Sequence, residues 1–204
     1  MIERRQLQIG SKPAPELNLI VGAKRQTQHG WISTDIATLD IRRDVDWARS
    51  FAPNSIDRIL CESCLEHMTF EDGFAACRNF YKYLKPGGRV RIAVPDANFR
   101  NESYQWWTRP GGGGQTFSRW FVYAPHEPDH KVFYDFQSLT TLVRRAGFDT
   151  KLVEYFDAGG NFHKNHWSYA DGEVTRSLGH PRVARLKLWL GFDFISLIVD
   201  GFKR

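Results

Sequence analysis

The stretch LIVGAKRQTQHGWISTDI, residues 19–36, decides the fold class. It joins two short apolar runs through a turn that begins at Gly22, and Asp35 lies near the end of the second run. A buried strand, a glycine turn and a second strand that ends in an acid are typical of α/β proteins that bind nucleotide-type cofactors. Lys24 and Arg25 stand where further glycines are usual. Whether the loop still holds a cofactor depends on whether these two side chains crowd it or turn outward.

Strand and helix patterns alternate along the rest of the chain. We predict strands at residues 17–21, 31–36, 56–61, 89–94, 148–156 and 194–199. We predict helices at 69–84, which a Pro-Gly-Gly stop at 86–88 ends, and around 139–146; 183–192 is a core-covering helix or a self-association face. This alternation predicts a doubly wound, mostly parallel α/β sheet, covered on both faces, in a single domain spanning 1–204.

Ligands of such sheets bind at the carboxyl ends of the strands, beside the switch point in strand order. The segment 98–131 has no clear periodicity and contains four consecutive glycines at 111–114. We therefore predict a long loop there, an insertion over the substrate side of that edge.

The composition limits the classes of partner that the protein is expected to bind. The chain has 204 residues, a net charge of +5 and a pI near 9.2, but its cations are scattered rather than clustered. This disfavours nucleic acid as a partner, and a solvated surface or an anionic small-molecule substrate explains the charge. No apolar run approaches the roughly 20 residues of a membrane span, and nothing near the N-terminus argues for export. Three cysteines, with no second CxxC pair, indicate reduced thiols and a cytoplasmic protein.

Several stretches carry a family resemblance. Gly22 followed by Asp35, NSIDRILCESCLEHMT at 54–69 and YLKPGGRVRIAVPD at 83–96 together resemble class I S-adenosylmethionine-dependent methyltransferases. DHKVFYDFQSLTTLVRRAGF at 129–148, VEYFDAGGNFHKNHW at 153–167 and the closing SLIVDGFKR are similar to a group of small predicted bacterial methyltransferases of type 11. The resemblance covers about residues 17–203. It implies the Rossmann-like class I methyltransferase fold, with S-adenosyl-L-methionine as cofactor.

The predicted cofactor-binding residues follow strands one, two and three: Gly22, Ala23, Asp35, Ile36, Leu39, Asp40, Glu62, Ser63 and His67. Asp35 can accept from both ribose hydroxyls, or it can simply cap a turn. The resemblance implies that Leu39 and Asp40 flank the adenine, although 44–45 is an equal candidate. It also implies that the residues after the third strand contact the amino acid end of the cofactor, where His67 can instead pack as a structural residue.

The predicted catalytic residues are His130, as the general base, and Asp129, which can orient it. Alternatively, His130 caps the helix that begins near residue 135. The predicted substrate residues are Trp106, Trp107, His126, Tyr134, His163, His166 and Trp167. His126 with His130, and His163 with His166, have the residue types of metal ligands, but their spacing fits no metal motif, so no metal site is predicted.

The resulting prediction is an enzyme that transfers a methyl group from S-adenosylmethionine to a small polar acceptor, such as a sugar-like or anionic molecule. The alternative is a non-catalytic binding or partner module on the same scaffold, which the altered cofactor loop favours. Nicotinamide-dependent redox chemistry ranks last, because no GxGxxG follows the first strand.

Overall fold

The computed structural model describes residues 15–112 and 130–204. They form one sheet in the strand order β2-β1-β3-β4-β7-β5-β6. The first four strands pair in parallel, β7 runs antiparallel between β4 and β5, and β6 is antiparallel to β5. The strands are β1 Asn18–Val21, β2 Trp31–Ser33, β3 Ile56–Glu62, β4 Leu84–Pro95, β5 Asp149–Phe156, β6 Phe162–Lys164 and β7 Ser196–Phe202.

Five α-helices and two 3-10 turns connect the strands in the described residues. The helices are α1 Asp44–Ser50, α2 Phe70–Tyr83, α3 Glu102–Thr108, α4 Phe136–Arg145 and α5 Pro181–Leu190; the 3-10 turns are Leu65–His67 and Tyr169–Asp171. Within the described ranges, no helix has the length and apolar character needed to cross a bilayer.

The main core lies on one face of the sheet. Helices α2 and α4 bury their apolar stripes there against β1, β3, β4 and β7, and α1 adds Trp47. Trp47 of α1 stacks on Tyr83 at 5.2 Å, and Tyr81 of α2 meets Phe148 edge to face at 5.1 Å. Side-chain caps define where α2 and α4 begin: Thr69 accepts from the Asp72 amide, and Asp135 forms a capping box with Ser138.

An extended segment, residues 165–180, covers the centre of the other face; we call it the covering segment. Its Val174 and Trp167 pack on the alternate residues of the central strands. Only nine residues connect the parallel strands β1 and β2, and they contain no helix, whereas such crossovers usually carry one. The covering segment occupies that face instead. Gln28 fastens it by donating to the Tyr169 carbonyl and accepting from the Glu173 amide.

Buried charges also attach the covering segment. Arg91 on β4 is 1% exposed and donates to both carboxylate oxygens of Asp200 on β7, at 2.7 and 2.8 Å. The same guanidinium donates to the carbonyls of Ser168 and Gly172. Fully buried Glu154 on β5 accepts from the Trp167 indole. Polar groups of the sheet thus hold this segment.

The mostly parallel α/β sheet is confirmed, but several predicted boundaries were wrong. Strand β4 begins at Leu84 and runs through the Pro-Gly-Gly stretch, because α2 already ends at Tyr83. The segment 98–131 is not wholly a loop, since α3 lies within it. The last strand begins two residues later than predicted and extends to Phe202. Helix α1 and strand β6 were not predicted.

Candidate active site at the carboxyl edge of the sheet

Strand order reverses between β1 and β3, and the backbone is unusual just after both strands. Gly22 has a φ of 64°, Lys24 of 49° and Ser63 of 54°. Among the described non-glycine residues, one more has a positive φ, Asn54 in the turn before β3. Left-handed conformations cost energy for residues with a side chain and concentrate at functional sites. The turns after β1 and β3 are therefore the primary candidate site.

The turn after β1 is tight. A Cβ on Gly22 would lie 2.7 Å from the Cys64 sulfur, so the close neighbour that requires glycine here is a thiol of the turn after β3. Ala23 is buried, and its amide donates to the Thr34 carbonyl, which joins this turn to the end of β2. Lys24 and Arg25 are both exposed at the surface, so neither side chain is buried within the turn.

The loop after β2 presents an acid beside an apolar side chain. Asp35 is half-buried, and its Oδ1 accepts from the amides of Ala37 and Thr38 at 3.0 and 3.2 Å. No described residue donates to its Oδ2. Ile36 is 73% exposed, which is uncommon for a large aliphatic side chain. Together they offer one carboxylate oxygen and one apolar surface to a ligand.

The other two residues predicted near the adenine have protein partners. Leu39 is buried in the main core. Asp40 binds the Arg42 guanidinium through both oxygens, at 2.8 and 2.6 Å, and this pairing lowers the pKa of the Asp40 carboxyl.

Glu62, at the end of β3, is fully engaged with protein groups. Its oxygens accept from the Gln26 amide group, from the Thr175 amide and hydroxyl, and from the Arg176 amide, at 2.9 to 3.0 Å. The Arg176 guanidinium donates to the Ser63 hydroxyl at 2.6 Å. The covering segment is thereby fixed onto the turn after β3. No local sequence signal marks Thr175 or Arg176.

Beside this turn lies a group of buried titratable residues. Glu66 is 1% exposed, and neither of its oxygens accepts a hydrogen bond from a described residue. Burial raises the pKa of Glu66 to about 7, opposed by the charges of Arg176 and Lys24 and reinforced by that of Glu62. The His67 and His130 rings meet edge to face at 4.7 Å. His130 and His67, predicted for different roles, are thus neighbours.

Sequence and structure comparisons place this geometry in a known fold. Residues 20–92, from β1 into β4, match a family model described as a methyltransferase domain. A solved structure of a SAM-dependent methyltransferase from Archaeoglobus fulgidus aligns over 92% of this chain and 86% of its own, with a TM-score of 0.50 and 16% identity. The chain has the class I methyltransferase fold. S-adenosylmethionine is the cofactor of this class.

Two other solved structures align over a similar share of this chain, at similarly low sequence identity. A possible histamine N-methyltransferase from Thermotoga maritima aligns over 94% of this chain and 84% of its own, at 12% identity and a TM-score of 0.48. Phosphoethanolamine N-methyltransferase 2 from Haemonchus contortus, in complex with S-adenosyl-L-methionine, aligns over 95% and 50%, at 13% identity and a TM-score of 0.46. No curated protein sequence matches the chain.

In this methyltransferase fold, part of the predicted substrate set lies near the buried group. Lys131 donates its amide to the Glu66 carbonyl at 2.7 Å, which docks the chain at His130 onto the 3-10 turn. Tyr134 is buried, and no described residue bonds its hydroxyl; burial raises the pKa of Tyr134. His126 and Asp129 lie outside the described residues.

The tryptophan pair lies on α3. The rings of Trp106 and Trp107 meet edge to face at 5.8 Å, and Trp106 is 46% exposed. Trp106 lines two surface clefts of about 460 and 500 Å³, one shared with Phe192 and the other with Arg100 and Arg109. An exposed indole beside cations suits a flat or anionic ligand.

The remaining predicted substrate residues make other contacts. His163 on β6 bonds Asp157 at 2.8 Å and stacks on Tyr155, and this pairing lowers the pKa of Asp157. His166 is exposed. Trp167 belongs to the covering segment, with the Arg91 guanidinium 4.5 Å from its ring. The structure thus does not gather these three with His130 through any contact described.

Proposed function

We propose that the protein transfers the methyl group of S-adenosylmethionine to a small polar acceptor. One observation carries the proposal: in the loop after β2, at the carboxyl edge of the sheet, Asp35 keeps a carboxylate oxygen without a described partner, and Ile36 beside it is 73% exposed. A nucleoside has a matching pair of features, ribose hydroxyls that donate and a flat base that buries apolar surface.

The residues present fit that cofactor. Asp35 Oδ2 would accept from a ribose hydroxyl, and Ile36 would cover the adenine. Gly22, Ala23 and Ser63 would line the amino acid end of the cofactor, with the exposed Lys24 and Arg25 beside them. Asp40 and Glu62 would shape the site indirectly, the first by holding Arg42 and the second by fixing the covering segment.

The bound cofactor supplies an electrophilic methyl group on a sulfonium. The chain's part is to hold an acceptor in line with it and to deal with the acceptor's proton. We assign the acceptor side to His67, His130 and Tyr134, with the α3 tryptophans beside them. A net charge of +5 favours an anionic acceptor, and the tryptophan pair suits a sugar-like one. The three cysteines are unpaired, which accords with a cytoplasmic enzyme.

Calorimetric titration with S-adenosylmethionine and with its demethylated product tests the proposal. We expect saturable binding of both, and we expect Asp35→Ala to weaken it at least about 10-fold, the loss of one charge-assisted hydrogen bond. Asp149→Ala is the matched control, because Asp149 is an aspartate at the opposite edge of the sheet, paired with Arg204. Equal affinity in both variants would remove Asp35 from the site.

The second candidate, a non-catalytic module, is favoured by the Cys64 sulfur packed against Gly22 and by the protein partners of Glu62. The same titration separates the two functions. If neither ligand binds at millimolar concentration, the scaffold has lost its cofactor and the module is the better description.

A further inference from the structure

The group formed by Glu66, His67 and His130 has the chemistry of a metal centre. One ligand atom from each residue can be chosen so that all three atoms lie within 4.8 Å of one another. One carboxylate and two imidazoles are a ligand set that proteins use for zinc and for other divalent transition metals. The sequence alone does not reveal this ligand set, because His130 lies more than sixty residues after Glu66 and His67.

We propose that Glu66, His67 and His130 bind a divalent transition-metal ion such as Zn²⁺.

The strongest argument is that the Glu66 carboxylate is buried without a hydrogen-bond donor among the described residues. Its side chain is 1% exposed, and no described residue donates to either oxygen. A buried carboxylate without a partner is costly, and a catalytic role or a bound ion is among the reasons that proteins retain such groups. A cation held jointly with two imidazoles satisfies both the charge and the lone pairs of this carboxylate.

The second argument is the orientation of His130. Its Nδ1 lies 2.5 Å from the Thr108 carbonyl, which can only accept, so this nitrogen carries a proton and Nε2 is the ring atom that would bind the ion. Metal-binding histidines commonly donate their other ring N–H to a carbonyl in this way, which fixes the tautomer and the ring. The Lys131 and Val132 amides both donate to the Glu66 carbonyl, which fixes the spacing of the two chain segments.

The role of the ion deepens the proposed function and rests on it. A zinc ion held by three protein ligands would have one further position in its usual tetrahedral set, and an oxygen of the acceptor would occupy it. The ion would lower the pKa of an acceptor hydroxyl bound there, whose proton would pass to solvent while the oxygen keeps its electron pair. His130 would then act as a ligand, replacing its predicted role as general base.

The test uses the full chain after dialysis against a chelator, with no cofactor or acceptor present. Titration with Co²⁺, followed by visible absorption and by competition with Zn²⁺, should show one saturable site per chain. We expect His67→Ala and His130→Ala each to weaken metal binding at least about 10- to 100-fold, because mutating even a residue that only hydrogen-bonds to a metal ligand costs that much affinity. Glu66→Gln should do the same. His163→Ala is the matched control and should bind as the parent does.

The outcomes separate this inference from the proposed function. Circular dichroism checks that each variant is folded, and the conservative Glu66→Gln keeps the test open if a histidine variant is not. Absence of stoichiometric binding in the parent, or equal affinity in the three ligand variants and the control, would overturn the metal site. Cofactor titration of the chelated protein is read separately, so loss of the metal site leaves the cofactor assignment standing.

Discussion

Replacing Glu62 by Gln tests whether this residue serves the fold or contacts the cofactor directly. The two carboxylate oxygens accept four hydrogen bonds, two each, from Gln26, Thr175 and Arg176. Glutamine keeps the size, but its NH₂ group cannot accept, so either orientation loses two of the four. Hydrogen bonds to a charged group contribute about 1.5–3 kcal/mol each, and we therefore expect the free energy of unfolding to fall by about 3 kcal/mol or more.

Urea denaturation followed by far-UV circular dichroism measures this change. Hydrogen exchange should show the loss first at the amides of Thr175 and Arg176. Glu102→Gln is the control, because Glu102 is exposed on α3, and it should change stability by no more than about 0.5 kcal/mol. An unchanged unfolding free energy for Glu62→Gln, combined with weaker cofactor binding, would refute the reasoning and return Glu62 to direct cofactor contact.

Three further changes probe other parts of the scaffold. Arg91→Met leaves Asp200 buried without its main partner and should cost about 3–5 kcal/mol in urea denaturation. Gly22→Ala should cost about 1–3 kcal/mol, from its left-handed φ and from the 2.7 Å approach to the Cys64 sulfur, and Cys64→Ala added to it should recover the steric part. Burial raises the pKa of Asp96 from 3.8 to about 6. The folded state therefore binds a proton at the Asp96 carboxyl more tightly than the unfolded state does. The resulting stabilisation is complete below pH 3.8, and about 3 kcal/mol of it is lost as the pH rises through 6. Asp96→Asn should flatten that part of the stability profile.

Each of these has a contrary result. Arg49→Met is the control for Arg91, because its side chain is 73% exposed, and equal effects of the two would contradict a buried anchor. An alanine at position 22 that is as stable as the parent would contradict the close contact. An unchanged slope of stability between pH 4 and 6 in the Asp96 variant would mean that another group titrates there.

The parts of the fold with strong local patterns were predictable. Strand β1 is a short apolar run bounded by turn residues, and β3 follows a turn and has an apolar centre. Helices α2 and α4 repeat their apolar residues with helical period and carry their own caps. Helix α1 has seven residues and buries one of them, Trp47, which is too little periodicity to detect. Strand β6 has three residues and depends on pairing with β5. Both form because of tertiary contacts.

The candidate site likewise has residues that the sequence predicts and residues that only the tertiary structure brings in. Gly22 and Asp35 were identifiable because they follow strands, and parallel strands bring their carboxyl ends to one edge. The partners of Glu62 were not, because Thr175 lies 113 residues away and carries no motif. Leu39 is an ordinary apolar residue whose burial only the packing of α1 and α2 decides. The Glu66 and His130 proximity likewise depends on how residues 130–132 dock.

The position of the covering segment late in the chain has a consequence for folding during synthesis. The stretch that matches the family model ends at residue 92, yet one face of its strands is closed by residues 165–180. During synthesis the first four strands leave the ribosome long before Trp167, Val174 and Thr175 do. The apolar side chains of Ile20 and Leu60 in the nascent amino-terminal half therefore stay uncovered until the covering segment has been synthesised.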